Sequence, residues 1–169
     1  EQVCSGCLTA AKEALESGAR VDEAIRAHVV RANNSRYSKV NEIAKYLVAM
    51  FPQKGTVMTQ CFGETIVGMM LKEAKLAGKE VRLFCPETRP YFQGARLTAT
   101  VCHDMGFDVT VITDNMPAFV MEREGVDVFT CAADAICLDG YVVNKVGTFQ
   151  IAICANHFCL LYTSDAADE

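Results

Sequence analysis

The sequence contains no tryptophan, only four prolines and three histidines, and it does not begin with methionine. No set of His, Cys and carboxylate residues has metal-ligand spacing, so no metal centre is expected. Basic charge is in deficit. Sixteen Lys and Arg against 21 Asp and Glu leave a formal net charge of −5, which excludes a broadly basic nucleic-acid surface. No apolar run approaches the roughly 18 residues of a membrane span. The start, Glu1-Gln-Val-Cys4, lacks the basic-then-apolar pattern of a secretory leader. The glycine-lysine phosphate loop of nucleotide hydrolases is absent as well.

What is present is a core. Hydrophobic residues make up 51% of the 169 positions, enough for one domain of ordinary size. Nine cysteines invite a disulfide reading, but Cys85, Cys131, Cys137 and Cys154 sit singly in apolar segments. Free cysteine behaves as a small buried hydrophobe. Reduced thiols and a cytoplasmic location are therefore expected. Cys4-Ser-Gly-Cys7 is a lone pair with no second pair to complete a zinc site.

Hydrophobic spacing predicts a helix over 8–32, interrupted near Ser17-Gly18, and a second over 37–50. From residue 56 the period changes. Strands are expected at 56–59, 81–85, 109–112 and 126–130, with helices at 63–77, 92–104, 116–123 and 148–156. A turn-rich stretch surrounds Asp139-Gly140. Strands alternating with helices indicate an α/β fold, a Rossmann-like parallel sheet with flanking helices, preceded by part of a helical domain.

In such sheets ligands lie outside the carboxyl ends of the strands. The residues following each strand are Cys61, then Glu87-Thr-Arg-Pro90, then Asp114-Asn115, then Asp134. A thiol, carboxylates, an arginine and an amide converging on one edge suggest a polar small-molecule site. Cys61 opens a helix, a position that lowers a thiol pKa and favours a functional role over the alternative of another core cysteine. Asp134 lies in Cys-Ala-Ala-Asp-Ala-Ile-Cys, where desolvation would raise its pKa and suit it to general acid catalysis. A helix-capping or turn aspartate fits the same pattern. Arg89 suits a bidentate grip on phosphate or a structural pair with Glu87. Asn144-Lys-Val-Gly-Thr148 reads as a loop entering a helix, where backbone amides and Lys145 can hold a phosphate. His28 and His103 read as surface or boundary residues.

Five motifs occur in series: Glu87-Thr-Arg-Pro, Gln93-Gly-Ala-Arg-Leu-Thr-Ala99, Ile112-Thr-Asp-Asn-Met116, Ala133-Asp134 and Asn144-Lys-Val-Gly-Thr148. In order and spacing the series resembles the methylthioribose-1-phosphate isomerases. Their superfamily includes ribose-1,5-bisphosphate isomerase and the regulatory subunits of translation initiation factor 2B. The resemblance covers about residues 55 to 157. It implies that Cys61 is the active-site cysteine, Asp134 the proton donor, and Gln93, Asn144 and Lys145 substrate contacts. It implies a sugar-phosphate ligand, no cofactor, no nucleic-acid or membrane partner, and a homodimer when full length. Two positions depart from the family pattern. Phe62 stands where asparagine is usual, and Ala132 where glycine is usual.

The family's Arg-Gly-Ala-Pro loop is not in the chain. The resemblance therefore divides it into 1–54, the end of a helical N-terminal domain; 55–158, part of the catalytic domain; and 159–169. This last segment, Cys-Leu-Leu-Tyr-Thr-Ser-Asp-Ala-Ala-Asp-Glu, reads as the translation of a transposon-type sequencing adapter. Residues 159–169 are accordingly expected to be non-native and to take no part in the fold. The chain is expected to stop before the next strand and to be inactive alone.

The implied reaction converts an aldose 1-phosphate to a ketose 1-phosphate. The phosphate on the anomeric carbon blocks simple ring opening, so an acid must protonate the ring oxygen. Asp134 suits that step. Hydrogen then moves from C2 to C1, through an enediolate or as a hydride. Ribose 1,5-bisphosphate is the rival substrate, and a non-catalytic sugar-phosphate-sensing subunit is the rival class.

Overall fold

The computed structural model describes residues 2–165. Two compact units divide it, one up to Val40 and one from Asn41. In the first, α1 (Gln2–Ser17) ends where expected: Gly18 takes a left-handed φ of 72° and Ala19 N–H donates to Ala14 O at 2.9 Å. The helix α2 then runs unbroken from Val21 to Ala49 through the boundary between the units. Hydrophobic spacing predicts two helices here. The polar stretch Asn33-Asn34-Ser35-Arg36 contains neither glycine nor proline, so nothing stops the helix.

The second unit is a five-stranded sheet, all parallel, in the order β3-β2-β1-β4-β7. Its strands are β1 (Lys54–Met58), β2 (Glu80–Pro86), β3 (Val109–Ile112), β4 (Val128–Ala132) and β7 (Leu161–Asp165). Helices α3 (Glu64–Leu76), α4 (Ala99–Asp104), α5 (Pro117–Val120) and α6 (Thr148–His157) lie between them. A π-helical turn, Gly94–Thr98, leads into α4, and another, Met121–Gly125, follows α5. Gly78 and Gly106, at φ of 65° and 76°, terminate α3 and α4 as the sequence suggests.

Side-chain alternation along the strands builds two cores. Val57, Leu83, Cys85 and Val128 face α3, α4 and the end of α2, where they meet Met70, Leu71, Cys102 and Val48. Met58, Phe84 and Phe129 face the other way, onto Val120, Met121, Ile151 and Ala155. Both faces are therefore covered, as a parallel sheet requires.

Two further differences from expectation concern the end of the chain. A hairpin, β5 (Ala135–Ile136) with β6 (Val142–Val143), occupies the turn-rich stretch. Residues 161–165, expected to take no part in the fold, form β7 in parallel register with β4, from Val128↔Leu161 to Ala132↔Asp165. Backbone pairing tolerates many sequences, and β4 otherwise presents an unpaired edge. The strand buries little: Leu161 and Tyr162 are exposed. Residues 166–169 lie outside the described residues.

Phe129 is 1% exposed at the centre of one core. Phe129→Ala should cost about 3–5 kcal/mol, read as a lowered urea midpoint.

Candidate functional site

The sheet order reverses between β1 and β4. Chain progression from β1 runs outward through β2 to β3, and the return crosses over to β4. The carboxyl ends of these two strands therefore form the topological switch point, the usual ligand position in open α/β sheets. Thr59-Gln60-Cys61 leaves β1 there, and Ala133-Asp134 leaves β4.

The β5–β6 hairpin brings the next motif to the same place. Asp134 N–H donates to Val143 O at 2.8 Å, so Asn144 and Lys145 follow directly beside Asp134. The signal for this hairpin is in the sequence: Asp139-Gly140 flanked by Ala-Ile and Val-Val, with Gly140 at φ 87°. Asn144 Nδ2 donates to Thr148 Oγ1 at 3.1 Å. Gly147, at φ 100°, starts α6 with no side-chain cap on its first amides. On the neighbouring turn, Gln93 is half-buried. With its amide oriented to satisfy both ends, Nε2 donates to Thr88 O at 3.3 Å and Oε1 accepts from Lys145 Nζ at 3.1 Å. Lys145 Nζ also lies 5.7 Å from the Tyr91 ring centroid. Cys61, Asp134, Gln93, Asn144 and Lys145 thus share one edge.

Four expectations need correction. Cys61 does not open a helix, because α3 begins only at Glu64. Its thiol is pushed up from the ordinary 9.0, not down: burial dominates, the Phe62 amide and the Lys145 charge pull it back, and the Asp134 charge adds to the rise. Asp134 is exposed, so its carboxyl is not desolvated by the apolar run around it; that run is buried at Cys131 and Ala133 only. Arg89 is exposed and stacks on Phe92, 4.8 Å from guanidinium carbon to ring centroid, and forms no pair with Glu87 among the described residues. Asp114 does not reach the switch point as a free carboxylate. Its two oxygens accept the N–H groups of Thr88 and Arg89, each at 2.7 Å.

The cysteines also sort differently from expectation. Cys85 and Cys131 are buried, but Cys137 is exposed on the hairpin; no disulfide joins any two of the nine.

Two further residues matter at the site: Gln60, which no motif marks, and Thr88, which lies in the Glu87-Thr-Arg-Pro motif without a role read for it. Gln60 is 4% exposed, and its Nε2 donates to Val146 O at 3.0 Å, tying the turn after β1 to the Asn144–Thr148 loop. Its Oε1 is buried with no partner among the described residues, next to a cavity of about 20 Å³ that would take one water. Thr88 is 1% exposed yet has φ of 61°. Cys61 and Phe92 share that left-handed conformation, at 60° and 58°. Non-glycine residues there cost of order 1–3 kcal/mol each and persist only where the surroundings fix them. Three such residues gather on one sheet edge.

A larger depression, about 520 Å³, lies at the opposite edge. It is lined by Lys54, Lys75, Lys79 and Arg82 together with Glu80 and Asp108. Each cation there is already engaged: with Glu80, the Phe107 ring, Phe51 O and Glu124 respectively. No group of three or more His, Cys, Asp or Glu among the described residues could hold a metal. No helix among them is long and apolar enough to cross a membrane.

Sheet order and side-chain placement together define a Rossmann-like α/β protein with polar side chains gathered at its switch point. The chain belongs to the Initiation factor 2 subunit family, whose sequence profile matches residues 3–160. It is 41% identical over 108 residues to the methylthioribose-1-phosphate isomerase of Fervidobacterium nodosum, covering 60% of this chain and 31% of that one. It is 37% identical over 123 residues to the ribose 1,5-bisphosphate isomerase of Methanocaldococcus jannaschii, covering 73% and 39%. The crystal structure of translation initiation factor eIF-2B, subunit delta, from A. fulgidus superposes with a TM-score of 0.81 at 28% identity, covering 96% of this chain and 49% of that one. The chain therefore spans about a third of the length of the curated relatives it matches.

The proton balance at Cys61 is measurable. Its rate of iodoacetamide alkylation, followed by peptide mapping, should rise with pH to a midpoint above 9.0. Lys145→Met should move that midpoint higher and Asp134→Asn lower. The sign for stability follows: a thiol pKa raised in the folded state leaves stability intact below pH 9 and withdraws it as pH rises toward the folded value.

Proposed function

We propose that this chain carries the catalytic crevice of an aldose–ketose isomerase acting on a sugar 1-phosphate, converting 5-methylthioribose 1-phosphate to 5-methylthioribulose 1-phosphate. The observation that carries this reading is the meeting of Cys61, Asp134 and Lys145 at the switch point, close enough for both charges to bear on the thiol. The sequence relatives named as isomerases support the reaction class.

Each residue has a task the chemistry requires. Lys145, held by Gln93, and the uncapped amides of α6 supply positive potential for the phosphate. Asp134 gives its proton to the ring oxygen, which breaks the bond from that oxygen to C1 and opens the ring. Cys61, a thiol held protonated at pH 7, serves as a proton carrier or polar stabiliser while hydrogen moves from C2 to C1, and the C2 hydroxyl proton passes to the Asp134 carboxylate left by ring opening as C2 becomes the ketone. Asn144 and Arg89 complete the contacts with the substrate. The reading carries a cytoplasmic location and a homodimer with it.

Ribose 1,5-bisphosphate is the alternative substrate, favoured by the 37% identity to an isomerase of that name. Its second phosphate needs a second cation, and Arg89 is the candidate on the same edge.

The test is turnover by a chimera in which this chain's residues replace the aligned segment of the Fervidobacterium nodosum enzyme. The expected result is isomerisation of 5-methylthioribose 1-phosphate, lowered about 10²–10⁴-fold by Asp134→Asn or Cys61→Ala. Preference for the bisphosphate would select the alternative. Full turnover by Cys61→Ala would remove the thiol from the mechanism.

A further inference from the structure

Cys61 stands in a conformation that L-residues avoid, φ 60°, and its two peptide groups are held from two different parts of the chain. Its N–H donates to Thr88 Oγ1 at 3.2 Å. Its carbonyl oxygen accepts the hydroxyl proton of Thr98. Both threonines are buried, at 1% and 0% exposure. Neither hydroxyl is placed by chance. Thr88 Oγ1 itself donates to Pro86 O at 3.1 Å, which aims its lone pairs at Cys61. Thr88 is further fixed by the bond from its own N–H to Asp114 and by Phe92 N–H, which donates to Thr88 O at 2.8 Å. Thr98 closes the π-helical turn that begins at Gly94. A Cβ at Gly94 would overlap Pro86 O and stand 2.9 Å from Thr88 Oγ1, so only glycine lets that turn approach so closely.

We propose that Thr88 and Thr98 are positioning residues that grip the backbone of Cys61 from both sides and hold its thiol in working position. The proposal rests on the reading of Cys61 as the reactive thiol. It goes beyond that reading by naming what aims the thiol. Two buried hydroxyls contributed by the β2–α4 connection fix a residue contributed by the β1–α3 connection. A β-branched residue at φ 61° makes sense on the same ground. Position 88 must present a hydroxyl to Cys61 N–H, and the fold accepts a strained backbone there to obtain it.

The grip is tested on the whole chain by two readouts that do not need turnover. The first is amide hydrogen exchange of Cys61, expected to be at least 100-fold slower than in an unstructured peptide; exchange at the unstructured rate overturns the proposal. The second is alkylation of Cys61 by iodoacetamide at pH 8. Thr98→Val, which removes the hydroxyl, should free the half-buried thiol and speed its alkylation at least fivefold, while Thr98→Ser stays within twofold of the parent. A folded Thr98→Val chain that alkylates at the parent rate overturns the proposal. Should Thr98→Val not fold, the exchange rate of the parent chain decides alone. In the active chimera, Thr98→Val should lower kcat at least tenfold with KM within twofold, and Thr98→Ser should restore it. A chimera without turnover would count against the isomerase reading, while exchange and alkylation would still decide whether the grip exists.

Discussion

The parallel pairing of β1 with both β2 and β4 is the constraint on which the rest depends. Only three residues of β1, Thr56 to Met58, are buried in the strand itself, and their neighbours are fixed on both sides: Val57 opposite Leu83 and Val128, Met58 opposite Phe84 and Phe129. Because β4 pairs on the other side of β1 from β2, the helices that follow β1 and β2 cover one face of the sheet, and those that follow β3 and β4 cover the other. The turns leaving β1 and β4 are then free to converge. A sheet with the same strands in simple sequential order would put Cys61 and Asp134 at a distance. Core packing reinforces the arrangement, since Met58 and Phe129 meet in one cluster and Val57 and Val128 in the other.

The chemistry at that convergence is a balance of opposing effects on one thiol. Burial disfavours the thiolate, and the Asp134 carboxylate adds to the penalty; the Phe62 amide and the Lys145 ammonium offset part of it. The net result keeps the thiol protonated at neutral pH. That suits a group that holds or shuttles a proton better than a nucleophile, which needs a lowered pKa. Lys145 is tied to Gln93, so the cation that moderates Cys61 is also the cation available to a phosphate. Binding a phosphate there would neutralise the ammonium and weaken its pull on the thiol. On the proposed reading, ligand occupancy and the protonation of Cys61 would be coupled through that one side chain.

Four of the five strands are legible in the sequence because they are short apolar runs bounded by glycine and by polar turns, and the alternation with helices dictates parallel pairing; β7 is not, because backbone pairing alone recruits it. The site is legible in outline for the same reason: residues that follow parallel strands must gather at one edge. What stays hidden depends on contacts across the chain. The bonds between Cys61 and Thr88 and Thr98 span 27 and 37 positions, and although both threonines lie in motifs visible in the sequence, nothing there points them at Cys61. The environment of Asp134 is not legible because an apolar run in sequence need not enclose every residue in it. At a strand end Cys131 and Ala133 turn inward, while Asp134 turns out toward the hairpin. The unbroken α2 differs from the two helices that spacing predicts because polarity alone does not end a helix.

Strain in this molecule is not spread evenly. Of the four non-glycine residues at positive φ among those described, three are Cys61, Thr88 and Phe92, all on the switch-point edge, and the fourth is Cys159, just after α6. Each of the three is tied by a bond to or from Thr88: the Cys61 amide to its hydroxyl, the Phe92 amide to its carbonyl, and its own amide to Asp114. Thr88 is thus the residue through which the left-handed turn after β1 and the turn after β2 are fixed against each other. The unpartnered Gln60 Oε1 lies on the same edge. A fold that was optimising only its own stability would not concentrate three strained backbones and an orphaned acceptor at the end of its best-packed strands. Their confinement to the place where sheet topology creates a switch point is what a preorganised site requires: the free energy of holding groups in unfavourable positions is met by the two cores beneath them, before any ligand arrives.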